Sequence, residues 1–235
     1  MGTSSQNSKM DGVLSTIAEV RKQTASAIVF VSFGKDSLCL LDLLHPHFER
    51  LVCVFMYFVP GLDHINRYLR YCKARYPKTE WVQMEHWNMT YIRRAGLYCE
   101  PKPDVKLKKL SDVCEEVRKA TRLEWVFLGM KKADSLNRRL MLMQYESSHY
   151  TYNHTAYPLA EWTNKEVFSY LRSAKLPSPV IYGKGVNNGI GFNLDCFLWL
   201  RNNCPKDLER IYTEFPLSRR ILFENERRKT VKDEY

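Results

Sequence analysis

The run Ser32-Phe33-Gly34-Lys35-Asp36-Ser37 gathers two hydroxyls, a glycine, an ammonium and a carboxylate within six residues. That set suits a phosphate group. Where a strand hands over to a helix, the first backbone N–H groups of the helix lack intrahelical partners and its dipole adds partial positive charge, so an anion is stabilised there. Gly34 permits close backbone approach, Ser32 and Ser37 supply hydroxyl donors, and Lys35 offers a countercharge. A second run, Gly129-Met130-Lys131-Lys132-Ala133-Asp134-Ser135-Leu136-Asn137-Arg138-Arg139, again combines glycine, basic groups and a hydroxyl. Taken alone, a Lys/Arg-rich turn is also what a solvated surface looks like.

The elements that must position these runs are legible on either side of them. Ala27 to Val31 is a short continuous apolar run and Leu38 to Leu44 is helix-like, which makes buried strand, glycine turn, helix. Leu51 to Val59, closed by Pro60-Gly61, is a second strand, and Ile65 to Arg75 an amphipathic helix whose outer face carries Arg67, Arg70, Lys73 and Arg75. Trp81 to Met84 is a third strand. Asp112 and Glu115 cap a helix through about Arg122, and Trp125 to Gly129 is a fourth strand ending in glycine. Upstream, Val13, Ile17 and Val20 share one face of a short helix over Val13 to Gln23. Strands that are apolar throughout, alternating with helices, predict an α/β fold: a parallel twisted sheet with helices on both faces. In such a sheet the two chemistry-bearing loops lie at the same carboxyl edge, where ligands bind.

After Ser148 the character shifts. Thr163 and Glu166 form a capping box opening the helix Val167 to Ser173, and Lys184 to Asn193 is a glycine- and asparagine-rich loop. At 235 residues the chain suits one large domain, or a domain with an appendage, better than two full domains. The expected organisation is a flexible tail over 1–10, an α/β domain over 11–195, and a helical and loop C-terminal extension with a charged tail over 196–235.

Thirty-six Lys and Arg against 26 Asp and Glu leave a formal charge of +10, which favours polyanionic partners such as nucleotides or nucleic acid. The seven cysteines, at 39, 53, 72, 99, 114, 196 and 204, contain no Cys-x-x-Cys pair and are odd in number, so reduced thiols are expected, with no iron–sulfur cluster and no zinc. Cys196 and Cys204, beside Phe197, Leu198, Trp199 and Leu200, read as small buried hydrophobes. His45 and His47 straddle Pro46, His64 begins a helix, and no His-x-x-x-His helix pair occurs, so the histidines read as solvated or structural. No apolar stretch approaches the ~20 residues of a membrane span and the first ten residues are polar, so a cytoplasmic protein without a membrane partner is expected.

Two familiar phosphate loops fail on spacing. The Walker A loop needs a glycine where Val29 stands, and no Gly-x-Gly-x-x-Gly occurs. The loop Ser32 to Ser37 instead resembles the PP-loop, Ser-x-Gly-x-Asp-Ser, of the ATP pyrophosphatases. The run Gly129 to Arg138, together with Tyr157-Pro158-Leu159-x-x-Trp162-Thr163-x-x-x-Val167, is more narrowly similar to the phosphoadenosine phosphosulfate (PAPS) reductase family, and Gly189-Ile190-Gly191 resembles that family's later Ile-Gly step. The three ordered motifs span about residues 26 to 195.

This resemblance implies an adenine nucleotide alpha hydrolase-like fold with an adenine nucleotide, ATP or a relative, over the sheet and its phosphates on residues 32 to 37. It implies α,β-phosphate cleavage with Mg²⁺, as adenylyl transfer or pyrophosphate release. Carried over by motif, Lys35 and Asp36 are the catalytic residues, with Lys35 stabilising the leaving pyrophosphate and Asp36 positioning Mg²⁺ or fixing the turn. Gly129, Lys131, Lys132, Ser135 and Arg138 meet a second phosphate or the second substrate. The family's reductases attack with a cysteine in a C-terminal Glu-Cys-Gly-x-His segment, whereas this chain has no cysteine after Cys204 and Phe192 follows Ile190-Gly191 where some relatives carry one. Lys131 stands where many relatives have arginine, which keeps a charge and loses a bidentate fork. Two alternatives remain open: a non-catalytic nucleotide-sensing or nucleic-acid-associated accessory protein, and a sulfonucleotide reductase using an unusual thiol.

Overall fold

The computed structural model describes residues 3–145, 149–181 and 191–233. Along the chain run α1 (Thr3–Arg21), β1 (Ser26–Phe30), α2 (Lys35–Leu44), β2 (Arg50–Tyr57), α3 (Asp63–Arg75), β3 (Thr79–Glu85), α4 (Asn88–Ala95), α5 (Leu110–Thr121), β4 (Val126–Phe127), α6 (Leu136–Met143), β5 (Thr155–Ala156), α7 (Asn164–Ser173), α8 (Leu194–Asn203), α9 (Pro205–Glu214), a 3₁₀ turn (Pro216–Arg219) and α10 (Arg220–Asp233).

The five strands form one parallel sheet in the order β3-β2-β1-β4-β5, with β1 at its centre. Ile28 pairs with Val52 on one side and Val126 on the other. Successive strand residues point to opposite faces, so the unbroken burial of Ala27 to Phe30 and Leu51 to Phe55 means that both faces are covered. The chain builds outward from β1 through β2 to β3, then returns to lay β4 on the other side of β1. That reversal is a topological switch point, and it lies between the carboxyl ends of β1 and β4.

Several boundaries differ from those expected. Helix α1 begins at Thr3, so residues 3–10, expected as a tail, are helical; Lys9 is held by Glu166, with Nζ 2.6 Å from Oε1. Only Val126 and Phe127 of the fourth apolar run are paired as strand, and β5 is a two-residue strand too short to leave a pattern in the sequence. Most of the loop expected over Lys184 to Asn193, with the Gly189-Ile190 step, lies outside the described residues.

The chain falls into two compact units. The first comprises 1–56, 73–84 and 114–179, and the second 57–72, 85–113 and 180–235. A single boundary near 195 does not describe them, because each unit draws on three separated stretches. Unit 1 holds the sheet and the first turn of α2. Unit 2 is mainly helical, with a core that includes Phe197, Leu200, Leu208, Ile211 and Phe215.

Candidate functional site

The first loop sits where β1 gives way to α2. Phe33 takes a left-handed backbone (φ 59°), a conformation costly for a residue with a bulky side chain. The cost is offset by burial: its ring packs 4.8 Å from Phe55 and stacks 5.7 Å from Trp81, so Phe33 serves the loop through its backbone alone. Gly34 is the N-cap of α2 and has no side chain with which to cap it. Its φ is −75°, which any residue adopts, and an added Cβ would meet only Ser32 Oγ, at 3.4 Å. Neither backbone strain nor crowding requires glycine here.

Ser37 is buried, and its hydroxyl donates to the Gly34 carbonyl (3.0 Å) and accepts from the Ser32 amide (3.2 Å), which braces the turn. Ser32 is exposed and is the accessible hydroxyl of the pair. The two serines therefore divide the work expected of both.

The charged residues are arranged differently from the expectation. Lys131 is fully buried; its ammonium lies 2.5 Å from Asp36 Oδ1 and 2.7 Å from Asp134 Oδ1, and its own amide donates to Asp134 Oδ2 (2.9 Å). Lys35, also buried, pairs with the other oxygen of Asp36 at 2.8 Å. Arg138 reaches Asp134 at 2.8 Å. Burial pulls the Asp134 carboxyl upward, but hydrogen bonds from Lys131 and Arg138 outweigh it and hold the group below the ordinary carboxylate range. Lys131 is thus a buried strut joining the β1 and β4 loops. Asp36, with an ammonium on each oxygen, is already charge-compensated, which weighs against its holding Mg²⁺ directly.

The rest of the second run also makes contacts within unit 1. A Cβ on Gly129 would sit 3.4 Å from the backbone carbonyl of Asp36, so the glycine lets the two loops meet. Lys132 pairs with Glu161 at 2.5 Å, and the Ser135 side chain accepts from the Arg138 amide as N-cap of α6. Arg138 is the exposed charge among those expected to meet a second phosphate. Asp134, which the strut requires, escaped the sequence reading; its three-residue offset from Lys131 was the available signal.

The tertiary structure also assembles a group that the sequence did not suggest. In unit 2, His64, Cys204 and Asp207 bring one donor atom each to within 4.8 Å of one another. His64 Nδ1 is 2.6 Å from Asp207 Oδ2, and the same carboxylate accepts from the amides of Asp63 (2.8 Å) and His64 (2.9 Å). Cys196 is buried as expected, with its thiol pushed up to about 11 by burial, whereas Cys204 is only half-buried. Of the outer face of α3, Arg75 engages Asp42 at 3.3 Å. Among the described residues no helix is long and apolar enough to cross a membrane.

The family model for the phosphoadenosine phosphosulfate reductase domain matches residues 26–213. The curated proteins offer no match. Similar solved structures include the U34-tRNA thiolase NcsA of Methanococcus maripaludis with its [4Fe-4S] cluster (17% identity, 88% of this chain and 78% of that one, TM-score 0.46). A phosphoadenylyl-sulfate reductase of Candida auris in a phosphate complex (15%, 66% and 75%, 0.45) and an NH₃-dependent NAD synthetase of Campylobacter jejuni (13%, 92% and 94%, 0.48) are others. The thiolase overturns one expectation: a chain similar to this one carries an iron–sulfur cluster, so the exclusion of such clusters drawn from cysteine spacing is withdrawn. The donor group that the described residues do assemble contributes one cysteine. The ordered loops 32–37 and 129–138, the parallel sheet and a match over most of the chain agree: the chain belongs to the phosphoadenosine phosphosulfate reductase domain family.

Proposed function

We propose that the chain is a PP-loop enzyme that binds the phosphates of an adenine nucleotide, ATP in the leading reading, at the N-terminus of α2 and cleaves between the α- and β-phosphates, by adenylyl transfer or pyrophosphate release. One observation carries the reading: Gly34 caps α2 with neither a strained φ nor a crowded Cβ, at the switch point between β1 and β4, so a glycine unexplained by the protein leaves room for a ligand.

In this reading the first-turn amides of α2 and the exposed Ser32 hydroxyl hold phosphate oxygens, and the helix dipole stabilises charge on the departing pyrophosphate. Lys35 and Asp36 act as a pair. The Asp36 carboxylate is held by Lys131 and keeps the Lys35 ammonium at the loop, where its charge offsets that of the phosphates. Arg138, exposed at the start of α6, meets the second substrate. Reduction of a sulfonucleotide is less well supported, since it needs an accessible thiolate. Six of the seven cysteines are buried, and burial together with Asp207 and Asp63 raises the thiol of the seventh, Cys204.

The test is a thermal-shift panel of ATP, AMP, PAPS and adenosine phosphosulfate, each with and without Mg²⁺, followed by α-labelled ATP. ATP at a hundredfold excess over Kd should stabilise the protein by ~2.7 kcal/mol, and labelled AMP or an adenylylated product should accumulate. Stabilisation by PAPS alone, with release of sulfite, would instead assign the reductase reaction. Binding without turnover would assign the accessory role.

A further inference from the structure

We propose that His64, Cys204 and Asp207 in unit 2 form a binding site for a divalent transition-metal ion, with Zn²⁺ as the ion their chemistry favours. The donors come from two segments far apart in sequence: His64 lies in the first turn of α3, Cys204 is the N-cap of α9, and Asp207 lies in the first turn of α9. One thiol, one imidazole and one carboxylate make a mixed borderline set, which suits Zn²⁺ and disfavours Mg²⁺ or Ca²⁺. Three protein ligands leave a fourth position open to water or substrate.

The spacing is close to what an ion requires. Zinc–ligand bonds of roughly 2.0–2.3 Å set tetrahedral edges of roughly 3.3–3.7 Å. The three donor atoms already lie within 4.8 Å of one another, and the His64–Asp207 edge, 2.6 Å as a hydrogen bond, needs to open by about an ångström. Asp207 has a second oxygen with which to do so: Oδ1 accepts from the Asp63 amide, while Oδ2 serves His64.

Burial gives the cluster its electrostatic bias. His64 and Asp207 are each 2% exposed. Burial lowers the pKa of the imidazole despite the adjacent carboxylate. The Asp207 carboxyl is raised by burial but lowered further by the His64 and Asp63 amides and the His64 ring. The remaining charges that face the group are Asp63 and Arg67, of opposite sign. Binding displaces the Cys204 proton to solvent, forms one metal–sulfur bond and changes no oxidation state. An entry route exists because Cys204, alone of the three, is half-buried.

A cap for α3 is the other role open to Asp207, and the two are separable. The full-length chain, purified under reducing conditions without chelator, is titrated with Co²⁺ as a spectroscopic probe and then with Zn²⁺. The expected result is uptake of one equivalent with a thiolate-to-cobalt charge-transfer band that Zn²⁺ abolishes. Cys204→Ser should remove the band and weaken uptake at least tenfold while leaving the fold, by circular dichroism, intact, because both Asp207 amide contacts remain. Cys114→Ser, in unit 1, should keep the band. Failure of the wild type to take up one equivalent, or a band that survives Cys204→Ser, overturns the proposal.

Discussion

The ammonium of Lys131 lies 2.5 Å from one oxygen of Asp36, while Lys35 lies 2.8 Å from the other, so two lysines on different loops share one carboxylate. Lys131 has no exposed surface and a second carboxylate partner, Asp134, at 2.7 Å. A buried charge is tolerated only when it is paired, and each member of this group holds the next in place. The strut fixes the register of the loop after β1 against the loop after β4.

Breaking the strut should therefore be costly. Lys131→Met removes the buried cation that Asp36 and Asp134 share and is expected to lower stability by about 3 kcal/mol, read from urea denaturation. Adding Asp36→Asn should recover part of that loss. A double-mutant cycle over the pair is expected to return a coupling of at least about 1 kcal/mol; additivity within about 0.5 kcal/mol would mean that the ions do not act as a unit.

On the proposed reading, Gly34 separates ligand contact from folding. Since a Cβ there meets only Ser32 Oγ at 3.4 Å and φ is ordinary, Gly34→Ala should keep stability within ~1 kcal/mol of wild type. Gly34→Val places a branched side chain at the N-terminus of α2 and is expected to weaken nucleotide binding at least tenfold, or about 1.4 kcal/mol, by calorimetry. Unchanged affinity in the valine variant would remove the phosphate site from this loop.

Acid should destabilise the protein earlier than carboxylates alone would allow. Burial lowers the pKa of His64, of His86 and of His45, so below about pH 6.5 the unfolded chain binds protons that the folded chain resists. Stability is then lost as pH falls from about 6.5 towards each lowered value, by at most roughly 1.4 kcal/mol per pH unit for each histidine. The urea midpoint at pH 5.5 should lie below that at pH 7.5, and His64→Gln should flatten the slope. An unchanged slope would mean that His64 takes up its proton without unfolding.

Glu166 should add a linkage of the same sign at lower pH. Its carboxyl is raised by burial but lowered further by Lys9 and by the hydroxyl and amide of Thr163, to about 2. Its contribution is fully present above about pH 4.5 and fades as pH falls towards 2. Glu166→Gln is expected to cost about 1 kcal/mol at pH 7, and the gap between variant and wild type should close in acid. A gap that persists at pH 2 would place the contribution in packing rather than charge.

Much of this molecule is written locally. The apolar runs 27–31 and 51–59 became β1 and β2 because a strand buried on both faces must be apolar throughout, and Thr163 with Glu166 marks the start of α7 because a capping box is a contact across one turn. Ser32 to Ser37 could be read as a phosphate loop for the same reason: all its parts lie within six residues. The short strands β4 and β5 blurred, since two residues carry no period. What the chain could not declare in one dimension is which charges find each other. Lys131 and Asp36 are 95 positions apart, and a basic residue after a strand looks the same whether it meets a ligand or a buried carboxylate. His64, Cys204 and Asp207 converge only when α9 delivers Asp207 to the start of α3, so cysteine spacing gave no sign of the group. Local periodicity determined the elements, and packing over distances that no window of sequence spans decided which side chains are struts, which are donors and which face solvent.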